Sequence, residues 1–147
     1  WIVAPPELAL PISKAHQFMT FATAPNLQAA VAYGLGKEQA YFNGMRASFQ
    51  KARDEMASAL RDIGYVTLPV EGTYFLSVDL AASGIAADDA HFCDRAVREC
   101  GVAAIPVSEF YDDDPVTSVI RLCFAKQPET IAKGVEGLGR VRALMGA

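Results

Sequence analysis

Hydrophobic residues recur at helical spacing through the first part of the chain and change to a strand-like rhythm after Gly64. The longest apolar stripe is Met45, Phe49, Ala52, Met56, Leu60 and Ile63, every step three or four residues, which is the period of one helix face. Arg46, Gln50, Arg53, Asp54 and Arg61 lie mostly off the stripe, and Lys51 and Glu55 form an i,i+4 pair. The pattern predicts one long helix that starts near Lys37 or Phe42 and ends at Ile63. Gly64 is suited to the residue just past the helix end. Such a stripe reads as core.

Ahead of it, Trp1 to Ala4 reads as a strand stopped by Pro5-Pro6. A helix is expected over Leu8 to Met19, opened by Pro6 or Glu7, with Pro11 in its first turn. Thr20 to Asn26 breaks the pattern, and a second helix follows over Leu27 to Leu35, ending at Gly34 or Gly36. After Gly64 come strands over Tyr65 to Val70 and Thr73 to Leu80, separated by the turn Glu71-Gly72 and able to pair as a hairpin. Asp88-Asp89 caps a helix over Ala90 to Cys100, with Phe92, Ala96, Val97 and Cys100 inward, and Gly101 ends it. A strand over Val102 to Val107, interrupted by Pro106, leads to an acidic loop over Ser108 to Pro115. A strand over Thr117 to Ala125 follows. Pro128-Glu129 opens the last helix, with Ile131, Val135, Leu138, Val141 and Leu144 on one face.

The order from Tyr65 is thus β-β-α-β-β-α. It predicts an α+β domain, a mostly antiparallel sheet with two helices on one face. Residues 1–36 do not fit that layer and read as the end of another domain, with 37–63 the connecting helix and 64–147 the small domain. The chain starts with Trp1 inside an apolar run rather than with Met, so a piece of a longer polypeptide is expected.

Composition narrows the function. Hydrophobic residues make up 52% and charged residues 20% of the 147 positions, as in a globular domain. The net charge of −4, with no Lys/Arg cluster, argues against a nucleic-acid binder. No apolar run reaches the length needed to span a bilayer, and no signal peptide is visible. Cys93, Cys100 and Cys123 make no CxxC pair, so reduced, mostly buried thiols in a cytoplasmic protein are expected. His16 and His91 stand apart, and no metal site is predicted.

Arg121 changes the picture most. It lies in Ser118-Val119-Ile120-Arg121-Leu122-Cys123-Phe124-Ala125, a run that is apolar on both of its alternating faces. A buried guanidinium cannot shed its proton and so must face an anion, and its planar fork matches a carboxylate. The competing reading is an arginine that snorkels from an edge strand to water. Gly134, Gly137 and Gly139 have GxxGxG spacing but lie within a helical stripe with no strand before them, so they make no phosphate loop. Asp112, Asp113 and Asp114 read as a solvated face. Besides Arg121 there remain Phe21, Tyr74, Phe110 and Tyr111, aromatic residues next to glycine or proline breaks.

Several segments in register resemble one family. They are Trp1-Ile2-Val3-Ala4-Pro5, Phe21 to Ala30, Glu71-Gly72-Thr73-Tyr74-Phe75, Ala104 to Tyr111 and Ile120 to Lys126. Together they resemble fold-type-I pyridoxal-phosphate aminotransferases of class I/II, nearest the kynurenine, glutamine and methionine aminotransferase branch. The resemblance implies an α/β parent fold, of which this chain would be the end of the large domain plus the α+β small domain. It implies transfer of an amino group between an amino acid and a 2-oxo acid by a cytoplasmic homodimer that uses pyridoxal 5′-phosphate. By resemblance Arg121 binds the substrate α-carboxylate and Tyr74 lies beside the substrate. Ser108 to Tyr111 line a mobile entrance. Phe21 and Ala22 reach the neighbouring subunit's pocket, where relatives often carry a polar or ring side chain at position 22. The family's Schiff-base lysine falls upstream of Trp1, and Lys14, Lys37, Lys51, Lys126 and Lys133 stand in the wrong contexts to replace it. The chain alone is therefore expected to be inactive. Two other readings remain: a carbon–sulfur β-lyase on the same fold, and a stand-alone module that binds small acids.

Overall fold

A computed structural model describes residues 2–147, and by Cα proximity the chain forms two compact units that divide between Asn43 and Gly44. Trp1 lies outside the described residues. Ile2, Val3 and Ala4 form no strand, against the expectation for that segment.

The first unit holds α1 (Pro6–Met19), α2 (Pro25–Leu35) and the start of α3 (Gln39–Asp62). Proline occupies the first helical position of α1 and of α2, where its fixed φ suits a helix start and its missing N–H costs nothing. This moves the start of α2 to Pro25, two residues ahead of Leu27. Pro11 is inside α1 rather than in its first turn. Its ring leaves the Glu7 carbonyl without a helix partner. Glu7 is exposed, so water can take that bond. Neither α1 nor α2 buries a residue, and Leu8, Phe18, Leu27, Val31 and Tyr33 are all exposed.

The second unit carries a four-stranded sheet of β1 (Val66–Thr67), β2 (Phe75–Asp79), β3 (Ile105–Pro106) and β4 (Val119–Cys123), in the order β1-β2-β4-β3 and antiparallel at every pairing. The hairpin and the mostly antiparallel sheet are as expected, but the strands are shorter. Thr73 takes a left-handed φ of 61°, so β2 cannot begin before the following residues straighten. Pro69 stops β1, and Pro106 limits β3 because it has no N–H for the ladder, a residue tolerated only at such an edge.

Leu76, Val78, Ile120 and Leu122 alternate onto one sheet face and meet Met56 and Leu60 of α3, Phe92 and Ala96 of α4 (Asp89–Cys100), and Leu138 and Val141 of α5 (Pro128–Leu144). Three helices, not two, therefore contribute to this core, because the second half of α3 joins it. Only part of the α3 stripe is deeply buried: Phe49, Ala52 and Ile63 pack partly, and Met45 is exposed. On α4, Val97 faces solvent and Cys93 takes the inward place; at the end of α5, Leu144 is exposed and Met145 packs instead. Cys93 is buried, while Cys100 and Cys123 are only half-buried.

The ends of the elements follow their sequence signals. Asp88 caps α4 by accepting the His91 N–H at 2.7 Å, and Gly101 closes it at φ 68°. Gly64 follows α3 at φ 87°, a left-handed backbone that strains any other residue, and the Arg142 guanidinium passes 3.0 Å from the place of a Cβ.

Candidate functional site

The sheet face away from the core is half-buried and carries Phe75, Ser77, Val119, Arg121 and Cys123. β4 is paired on both sides, so Arg121 sits on an interior strand, directly across from Ser77 of β2 and Ile105 of β3. That removes the reading of an edge-strand arginine reaching for water. The two faces of the β4 run also differ: Ile120 and Leu122 are in the core, and the Arg121 face is not.

Two rings flank the guanidinium. The Arg121 Cζ lies 4.0 Å from the Phe75 ring centroid, on the β2 side, and 4.7 Å from that of Phe110, which follows β3. Each such contact is worth roughly 0.5–2 kcal/mol, more as water is excluded. Rings cannot accept the in-plane N–H bonds of the fork. The Arg121 Nε is buried with no hydrogen-bond partner, and among the described residues no carboxylate pairs with this cation. With rings over its faces and no donor bonded within the described chain, the fork leaves in-plane N–H groups that a planar anion could accept edge-on.

Phe110 is placed by a 3-10 turn over Ser108–Phe110, and that turn is anchored from below. The Ser108 N–H donates to Asp89 Oδ2 and the Ser108 hydroxyl donates to Asp89 Oδ1, both at 2.8 Å. Asp89 is buried, the first residue of α4. Tyr111 follows in extended backbone, exposed, its N–H donating to the Ser108 carbonyl at 3.1 Å. Tyr74 is exposed beside Phe75, with ring centroids 4.2 Å apart, and its carbonyl accepts the Phe124 N–H.

Of the residues named from the sequence, Arg121, Tyr74, Ser108 and Tyr111 thus all lie in the second unit, on β4 or on segments next to β2 and β3. Phe21 and Ala22 belong to the first unit. Phe21 is exposed at a left-handed φ of 61°, and the Ala22 N–H donates to the Thr20 carbonyl at 2.7 Å. Sequence reasoning missed Phe75 and Asp89 as parts of this arrangement. In the sequence Phe75 stands as a strand residue closing the Glu71-to-Phe75 segment, with nothing to tie it to Arg121, and Asp89 stands with Asp88 as a helix cap, a role that Asp88 fills. The one usable signal for Asp89 was an acid placed just before Phe92 and Cys93 on the inward side of a helix.

A groove of about 1260 Å³ along α3 and α5 is lined by Phe49, Ala52, Phe124, Ile131 and Val135 and contains none of these site residues. Among the described residues there is no cluster that could hold a metal ion, and no helix is long and apolar enough to cross a membrane.

Comparison with known proteins identifies the family of the chain. The family model for aminotransferase class I and II matches residues 1–138. The methionine aminotransferase of Escherichia coli is 38% identical over 94% of this chain, and a probable N-succinyldiaminopimelate aminotransferase of Mycobacterium tuberculosis is 31% identical, also over 94%. The solved structure of an N-succinyldiaminopimelate aminotransferase from Mycobacterium tuberculosis superposes with a TM-score of 0.81 at 32% identity, covering 94% of this chain and 36% of that one. The chain spans only 36% and 37% of the two curated relatives. With nearly its whole length matched, in sequence and in fold, this chain belongs to the aminotransferase class I and II family.

Proposed function

We propose that this chain is the substrate-carboxylate part of an aminotransferase that moves an amino group between an amino acid and a 2-oxo acid, and that Arg121 grips the α-carboxylate. The observation that carries the reading is the Arg121 guanidinium, faced by Phe75 and Phe110, with a buried Nε that no group of the described chain satisfies. Burying a charged donor without a partner is costly, so the arrangement gains when a carboxylate arrives. A bidentate contact fixes the carboxylate plane and with it the direction of the Cα bonds, and orientation of that kind lowers a barrier. Tyr74 and Tyr111, both exposed, stand for the walls of the substrate pocket in this reading. Phe21 and Ala22 stand for a contribution from a second subunit, Ala22 leaving that wall small.

Family membership brings in pyridoxal phosphate as cofactor. A lysine that anchors it as a Schiff base must be desolvated enough to lose its proton. Lys14, Lys51, Lys126 and Lys133 are exposed, and Lys37 donates to the Tyr33 hydroxyl at 2.6 Å. None of these lysines has such a desolvated setting, so no Schiff-base anchor and no step through the cofactor is assigned to the described residues. We place its anchor in the part of the relatives that this chain does not span. We also propose the domain limits 1–36, 37–63 and 64–147 and a homodimer. The uncovered apolar side chains of α1 and α2 support burial against the rest of the polypeptide and a second subunit.

The test is Arg121→Ala in the full-length protein, with L-methionine as the first donor because of the 38%-identical relative. Loss of a partly desolvated bidentate contact should lower kcat/KM by on the order of 10²-fold. Arg121→Lys should do nearly as much harm, because a point charge cannot replace the fork. A fall of less than about fivefold in Arg121→Ala refutes the role.

A further inference from the structure

We propose that Asp89 is a positioning residue that sets Arg121 for its carboxylate by pinning the loop that carries Phe110; the inference rests on the reading of Arg121 above. One residue holds both ends of this loop. The Asp89 carboxylate takes the N–H and the hydroxyl of Ser108 at 2.8 Å each, and the Asp89 N–H donates to the Thr117 carbonyl at 2.7 Å. The chain between, 109–116, contains Phe110, whose ring covers Arg121, and Tyr111. The far end of the loop bears Asp112, Asp113 and Asp114, all exposed, with Asp114 at a left-handed φ of 49°.

A plain structural role does not account for this carboxylate. Helix α4 already has its cap in Asp88. Asp89 is 1% exposed, and no cation of the described chain pairs with it. Its charge is held by the Ser108 donors and by the positive end of α4. Burying an unpaired charge costs far more than burying a hydroxyl or an amide. What the charge provides is a strong two-point grip, since hydrogen bonds to an ionised acceptor are about twice as strong as neutral ones. The grip falls on Ser108, the first residue of the 3-10 turn, two positions before Phe110.

The consequence runs from Asp89 to Ser108 to Phe110 to Arg121. With the turn fixed, the Phe110 ring stays over the guanidinium, and Arg121 spends little time in other rotamers. A binding site that is populated before the ligand arrives loses less affinity to ordering. With the turn freed, only a fraction of molecules would hold Arg121 between Phe75 and Phe110, and apparent affinity would fall by that fraction.

The experiment uses the full-length protein and three readouts: KM and kcat for L-methionine, the Kd of 3-phenylpropionate (a carboxylate that cannot be transaminated) by calorimetry, and amide hydrogen exchange over 108–111. Asp89→Ala should raise KM and Kd about tenfold and change kcat by less than about threefold, as expected when the competent state is depopulated. Exchange should speed up over 108–111. Asp89→Asn keeps one acceptor for Ser108 but loses the charge and the second acceptor, and should recover only part of the affinity. In a Phe110→Ala background, Asp89→Ala should cost less than about twofold more, because the two act through one contact. If Asp89→Ala does not fold, Ser108→Ala removes the hydroxyl bond alone and should give a smaller loss with the same non-additivity.

An unchanged Kd, or a loss that is as large in the Phe110→Ala background as without it, overturns the positioning role. Arg121→Ala separates the two levels. If it weakens 3-phenylpropionate and Asp89→Ala does not, only the Asp89 inference falls. If Arg121→Ala leaves the Kd unchanged, the carboxylate reading fails and takes the inference with it.

Discussion

Gly137 provides the sharpest stability test of this fold. It is buried in α5, and a Cβ at this position would stand 2.2 Å from Val102 Cγ2 and 3.4 Å from the Cys100 carbonyl oxygen. Carbon atoms in contact settle roughly 3.5–4.0 Å apart, so Gly137→Ala forces Val102 to retreat by about 1.5 Å. Val102 is half-buried and β-branched, and its χ1 has few alternatives. Overpacking of this kind costs about 1–3 kcal/mol. Alanine returns about 1 kcal/mol of helix propensity, so the net effect is a loss of about 0–2 kcal/mol. Gly134 is the control. It lies one turn earlier in α5 with nothing within 4 Å of its Cβ position, so Gly134→Ala should keep the propensity gain of about 1 kcal/mol. The two variants should therefore differ by about 1–3 kcal/mol in parallel urea titrations followed by circular dichroism. Adding Val102→Ala to Gly137→Ala should relieve the clash and recover part of the loss. A Gly137→Ala variant as stable as Gly134→Ala would refute the packing assigned to α5.

Burial, and after it the nearby Asp89 charge, pushes the Cys93 thiol from 9.0 up to about 12. Iodoacetamide at pH 8 should therefore label Cys100 and Cys123 well before Cys93, and equal rates would contradict its burial. The native state holds this proton more tightly than the unfolded chain does. The stability it contributes is complete below pH 9.0 and is lost as the pH climbs toward about 12, so Cys93→Ala should flatten that alkaline decline in urea midpoints. Asp88→Ala removes the bond to the His91 N–H and should cost about 1 kcal/mol, read as a lower urea midpoint. Leu60→Ala empties a fully buried site where α3 meets the sheet and should cost about 2–5 kcal/mol in the same titration; a cost near zero would mean that the second half of α3 does not belong to this core.

Local rules made much of this legible from the chain. The stripe from Met45 to Ile63, the prolines at helix starts and the glycines at helix ends place the helices within a few residues, because each signal acts over one or two turns. The order β-β-α-β-β-α and the antiparallel hairpin came from the same local patterning. Arg121 stood out because a cation in an apolar strand run is expensive if that strand is buried. Strand lengths were overestimated because propensity says nothing about the left-handed turn at Thr73 or about which strands end as edges.

What sequence alone determined, then, is the helices, the succession of strands and helices after Gly64 and an arginine set in an apolar strand run, all legible from neighbours a few positions apart. Only the tertiary structure decided that β4 is interior, that Phe75 and Phe110 close on Arg121, and that Asp89 ties down both ends of the loop holding Phe110. Those contacts join residues far apart along the chain, and their register follows from how the sheet and helices pack together, which no short stretch of sequence encodes.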